Sequence, residues 1–172
     1  YITQMAYYQR IVFHSGDRLA DSSYNSPVFR GLSFSPQMDY ADFYKVSCVA
    51  AHVNADFTTG DQSHLVLNIK GKTPINQTDA TGTGSKSSYH ITMIPIEDKV
   101  SGGANSYTLK YPDRCKEYLL YNKHDWYDGN AEFEIWNGNE TELIIEPNSG
   151  DYRDWTFVLA FEPIRREDLI PK

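Results

Sequence analysis

The chain reads as an all-β protein, an antiparallel sandwich of about eight strands. Three observations carry that expectation. Short runs rich in Val, Ile, Tyr, Phe and Thr recur along all 172 residues and are separated by Gly, Pro, Asn, Asp and Ser. No stretch carries an apolar stripe at helical spacing, and there is no internal repeat or break in composition. Aromatic residues make up 14% of the chain, led by 13 Tyr, a side chain that packs on a pleated sheet while its hydroxyl reaches water. A single domain over 1–172 fits this length, which buries roughly two-thirds of the unfolded surface without staples.

The first predicted strand covers 7–13 and stops at Ser15-Gly16-Asp17. The second, over 28–34, lies between Pro27 and Pro36, so it is placed at a sheet edge, where proline costs least. The run over 43–53 is long and mostly apolar, as a central strand should be, and its Val, Tyr and Phe favour strand over helix. Alternation marks 64–70, which ends at Gly71. Residues 71–88 are rich in Thr, Ser, Gly and Asp and are predicted as a long flexible loop. Strand signals resume over 89–95, 107–111, 117–121 and 131–136. Asn137-Gly138 supplies the best hairpin signal, with 142–147 as the return strand. The last strand opens at Trp155 and is predicted to stop at Pro163. Eight or nine antiparallel strands with long early loops suit a jelly roll with Greek-key crossovers, because an up-and-down barrel needs only short turns.

Several classes of chemistry find no support. A net charge of -7 argues against a nucleic-acid surface, and the one basic pair, Arg165-Arg166, is followed at once by Glu167-Asp168. No apolar run approaches the ~20 residues of a membrane span. No basic-then-apolar leader precedes Tyr1, and an opening Tyr fits a processed chain or part of a longer one. The segment Thr81-Gly82-Thr83-Gly84-Ser85-Lys86 lacks phosphate-loop spacing. The histidines His14, His52, His64, His90 and His124 show no metal-ligand spacing, so no metal and no cofactor are expected. There is no Gly-x-Ser-x-Gly. Acidic pairs such as Glu132/Glu134 and Asp125/Asp128 admit a glycoside hydrolase, but with 23 acidic residues such pairs arise by chance. Cys48, in an apolar run, reads as a buried inert thiol, and whether it pairs with Cys115 is open. The sequons at Asn76 and Asn139 matter only in a secreted protein.

One segment stands out as a candidate ligand site: His124, Asp125, Trp126, Tyr127, Asp128 and Asn130 around Gly129. Trp and Tyr amid polar residues on a loop suit stacking on a sugar ring, with Asp and Asn bonding its hydroxyls. The plainer alternative is that Trp126 and Tyr127 cover one end of the sandwich core.

The opening Arg10-Ile11-Val12-Phe13-His14-Ser15-Gly16-Asp17-Arg18, the spacer into Pro27-Val28-Phe29, the strand around Tyr44-Lys45-Val46 and the closing strand from Trp155 to Ile164 together resemble the single jelly-roll minor capsid and penton proteins of double-jelly-roll DNA viruses. The resemblance covers about 50 residues. It implies a non-enzymatic virion component that binds other capsid subunits, as a homo-oligomer or in a mixed shell. The alternative from the residues alone is a carbohydrate-binding or adhesin-like sandwich with a glycan partner. For a shell protein, the apolar pairs at the termini, Tyr1-Ile2 and Leu169-Ile170, are expected to dock on a neighbouring subunit or on their own domain.

Overall fold

The computed structural model describes residues 8–58, 62–76, 88–98, 104–109, 118–145 and 154–169. Among them the chain forms nine strands and no α-helix. They are β1 (Gln9–His14), β2 (Val28–Phe29), β3 (Phe43–Ala55), β4 (His64–Lys70), β5 (Ser88–Asp98), β6 (Asn105–Leu109), β7 (Leu119–Asn122), β8 (Ala131–Asn137) and β9 (Trp155–Ile164). Every pairing is antiparallel. The strands follow one curled path, β1-β9-β3-β6-β5-β4-β8-β2, with β7 beside β3.

The curl closes the path into two facing halves, because β5 pairs β4 from Ser88 to Pro95 and then reaches β6 through Ile96 and Asp98. Aromatic side chains fill the space between the halves. Phe13 of β1 meets Phe133 of β8 with ring centroids 4.9 Å apart, edge to face, and Phe133 meets Phe157 of β9 at the same 4.9 Å. Phe29 of β2 lies 5.0 Å from Phe13. The architecture is therefore an all-β sandwich, held by apolar burial between its sheets.

β3 sits at the centre of one half, with β9 along one edge and β7 then β6 along the other. Its register with β9 shifts between Cys48 and Ala50. Before the shift Tyr44, Val46 and Cys48 are buried; after it Val49, Ala51, Val53 and Ala55 are. The extra residue of a bulge changes which parity faces inward, and that keeps a 13-residue strand buried along its whole length. Cys48 is fully buried there, as its setting implies, while Cys115 lies outside the described residues.

Several boundaries differ from the sequence reading, among them β5, which continues past Pro95 to Asp98, and three others carry a physical reason. β2 is only Val28–Phe29, although it does lie at a sheet edge. Beyond it, Gly31 takes a φ of 74° and the chain leaves the sheet. The return strand of the Asn137-Gly138 hairpin does not form among the described residues, where a single bridge joins Trp136 to Leu143. The edge it needs is taken: the Phe133 and Ile135 amides of β8 donate to Pro27 and Asn25 carbonyls. Residue 140, not Gly138, supplies the positive φ of this turn, with Glu140 at 53°. Finally, β9 runs through Pro163, which lies opposite Tyr44. The β1 ladder ends at Gln9↔Phe161, so it asks no N–H of Pro163.

Of the loop expected over 71–88, residues 77–87 lie outside the described residues, as do Tyr1, Ile2 and Ile170. Leu169 is exposed, at the end of a short 3-10 turn, Arg166–Leu169, that buries no side chain.

Candidate functional site

Directly after β7 the chain turns through a short 3-10 segment, Lys123–Trp126. This turn drives Trp126 inward, where it is 1% exposed. Its ring meets Phe161 at 4.9 Å and Tyr121 at 5.6 Å, both edge to face. Trp126 therefore plugs the end of the core, and as folded it offers no face for a sugar. Tyr127 is the side chain that points out, 63% exposed, with His124 edge-on at 4.8 Å. The predicted residues His124 to Asn130 are thus adjacent but split between core and surface.

A residue that sequence reasoning missed organises this loop. Lys72, 7% exposed, donates to the Asp125 carbonyl at 2.5 Å and to Asp128 Oδ1 at 3.1 Å. Its ammonium sits 4.7 Å from the centre of the Trp126 ring, a cation–π distance. Partial burial pushes the Asp128 carboxyl up, but the Asn130 amide and the Lys72 ammonium outweigh it and hold it below its usual value. Gly129 finishes the turn at a φ of 64°, and a Cβ there would stand 3.3 Å from the Leu32 carbonyl. That approach is used: the Leu32 amide donates to the Gly129 carbonyl at 2.9 Å.

Beneath the loop, burial pushes the Tyr121 hydroxyl far up, with Asp125 and Tyr89 adding to it, so this phenol stays protonated. Burial likewise raises Tyr44 to about 12, with Asp39 and Tyr127 contributing. Among the described residues neither Tyr121 Oη nor Trp126 Nε1 has a hydrogen-bond partner. Tyr121 is thus a neutral phenol, and the Lys72 ammonium is already engaged by two oxygens.

A second polar cluster lies on the outer face of the other half. There Lys70, Asn68 and Val66 of β4 stand opposite Glu132, Glu134 and Trp136 of β8. Lys70 Nζ is 2.8 Å from Glu132 and 3.8 Å from Glu134, and the hydrogen bond to Glu132 is the main cause that raises its pKa. The Trp136 indole donates to Glu134 at 3.1 Å. Asn68, 3% exposed, donates to Glu140 at 3.2 Å, and among the described residues its Oδ1 accepts no hydrogen bond. His90 Nε2 lies 3.8 Å from the same Glu140. The β4–β8 register sets Lys70 beside Glu132 and Glu134, and the turn after β8 brings Glu140 to Asn68 and His90; of these, sequence reasoning singles out only the pair Glu132/Glu134.

Among the described residues no three His, Cys, Asp or Glu side chains gather as a metal-binding group, and no helix is long and apolar enough to cross a membrane. Comparison with known proteins finds no family model and no curated protein that matches the chain.

Proposed function

We propose that this chain is a structural shell subunit of the single jelly-roll type, a minor capsid or penton-like virion protein that binds neighbouring subunits and carries out no reaction. The strand pairing is the observation that carries this reading. β1 pairs β9, β2 pairs β8, β3 pairs β6 and β4 pairs β5, four nested antiparallel pairs with β7 as an addition beside β3. A long two-stranded ribbon wrapped into two facing sheets has this nesting, and that is how an eight-stranded jelly roll is built. The resemblance of the opening and closing segments to capsid jelly rolls points the same way. Fold alone never names a function, so the test is where the protein is found. Immunogold labelling of virus particles purified from the source material is expected to decorate the shell. Label confined to non-particulate fractions would sink the reading.

A carbohydrate-binding sandwich is the second reading, and one observation favours it. The outer face around Asn68 holds a buried acceptor with no partner among the described residues, beside the Glu134 and Glu140 carboxylates and the Trp136 ring, the groups that bond and stack on sugars. Glycan-array binding abolished by Trp136→Ala would support it. Glu132 and Glu134, one of the acidic pairs that a hydrolase could draw on, are both partners of Lys70.

A further inference from the structure

The curled path ends at β1 and β2, while the off-path β7 is bonded by Ile75 and Asn76, and the two ends differ in kind. β2 is two residues long and follows Pro27, which leaves little backbone for another strand to pair with. β1 pairs β9 in unbroken register from Gln9↔Phe161 to His14↔Thr156, and among the described residues no other strand pairs with it. It contains no proline, no lysine and no bulge, so of the devices that keep an edge from pairing it carries the charge of Arg10 alone. Its outward side chains are Arg10 and Val12, and Val12 is 62% exposed. Val12 also begins an apolar row, opposite Val158 of β9, which is opposite Ala50 of β3.

We propose that β1 pairs antiparallel with β1 of a second copy of this chain, across a two-fold axis at Ile11, so that the two sheets become one. The open edge presents backbone donors and acceptors that another strand satisfies directly. The sequence of β1 chooses the register. An axis at Ile11 sets Arg10 against Val12 of the copy, where the arginine stem covers the exposed valine. An axis at Arg10 would set arginine against arginine, and one at Val12 would set Arg10 against His14. Only the first both keeps arginine from facing arginine and lays the arginine stem over the exposed valine, which favours it for a two-fold interface. The inference stands on the edge alone and does not depend on the virion reading.

Analytical ultracentrifugation of the whole chain tests it, together with cross-linking. At about 100 µM, enough to populate a dimer with a Kd near 10 µM, the wild type is expected to sediment as a dimer or an even multiple. Val12→Lys is expected to raise the dissociation constant at least about tenfold, with the same thermal midpoint as the wild type when both are diluted to about 1 µM, where the monomer dominates, since Val12 is a surface residue. Residues directly opposite in an antiparallel pair lie about 4.5–5.5 Å apart at Cα, within disulfide reach. A mixture of Arg10→Cys and Val12→Cys proteins is therefore expected to cross-link on oxidation more than either protein alone. A wild type that stays monomeric overturns the proposal. So does a dimer that Val12→Lys leaves intact, or cross-linking no stronger in the mixture than in the separate variants.

Discussion

Lys72 joins segments 53 and 56 residues apart in sequence, through the Asp125 carbonyl and the Asp128 carboxylate. Removing it strips those two oxygens of their donor and uncovers one face of Trp126. Lys72→Ala is expected to cost about 1–3 kcal/mol in urea unfolding, and a change below about 0.5 kcal/mol would show that the clamp is incidental. Asp128 carries the pH dependence of the same contact. Its folded-state pKa lies below its ordinary 3.8, so its contribution is present above about pH 4 and is lost as the pH falls through the folded value. The stability gap between wild type and Asp128→Asn is therefore expected to close below about pH 4; a gap that stays constant down to pH 2 would mean that the carboxylate is not involved. None of this clamp was legible in the sequence. Gly71-Lys72-Thr73 reads as loop, and only the distant Asp125 and Asp128 give the lysine a reason to be buried. The inward turn of Trp126 was equally hidden, because a seven-residue polar loop has no period from which to read a facing. The burial of Cys48 was legible because it sits in a mostly apolar run.

Strands were readable where burial enforces alternation, and misread where a competing neighbour decides. β4 matches its predicted bounds of 64–70, since a partner flanks it on each side. Over its described residues, 142–145, the predicted return strand shrinks to one bridge because the 25–29 segment already bonds β8, a competition that no local signal reports. Gly129 is the turn position with least freedom. Gly129→Ala meets both a positive φ and the Leu32 carbonyl, whereas Gly31→Ala, at a φ of 74°, meets nothing within 4 Å. The first is expected to cost about 1–3 kcal/mol and the second less, as compared by thermal unfolding. Equal costs would show that backbone strain alone matters. At the other extreme lies the Arg166–Leu169 turn, which buries no side chain and is tied to the body by the Arg166 amide bonding Asp42. Truncation of residues 167–172 is expected to move the thermal midpoint by less than about 2–4 °C, roughly the shift that 1 kcal/mol gives a domain of this size. A larger fall would mean that the segment belongs to the domain's own core.

At the scale of the whole molecule, the fold joins the most distant parts of the chain. β1 lies against β9, and Ser15 donates its hydroxyl to Asp154 139 residues away at 3.0 Å. β2 lies against β8, and only β4 with β5 and β5 with β6 are neighbours in both sequence and sheet. Closing such loops costs entropy before the pairing returns any stabilisation, so the transition state must already hold long-range contacts. Phe13, Phe133 and Phe157 meet at the junction of the two halves, yet they come from the first, eighth and ninth strands. The core therefore cannot condense from any one stretch of sequence. Refolding from denaturant is expected on a timescale of milliseconds to seconds or longer, apart from slower phases limited by proline isomerisation. Trp126 and Trp155 are both buried, so intrinsic fluorescence follows core formation in a stopped-flow experiment. Phe13→Leu, which weakens a contact between the first strand and the last two, is expected to slow folding if β1 joins in the transition state and to speed only unfolding if it docks afterwards. A main folding phase in microseconds would contradict the nested pairing, because only local structure forms that fast.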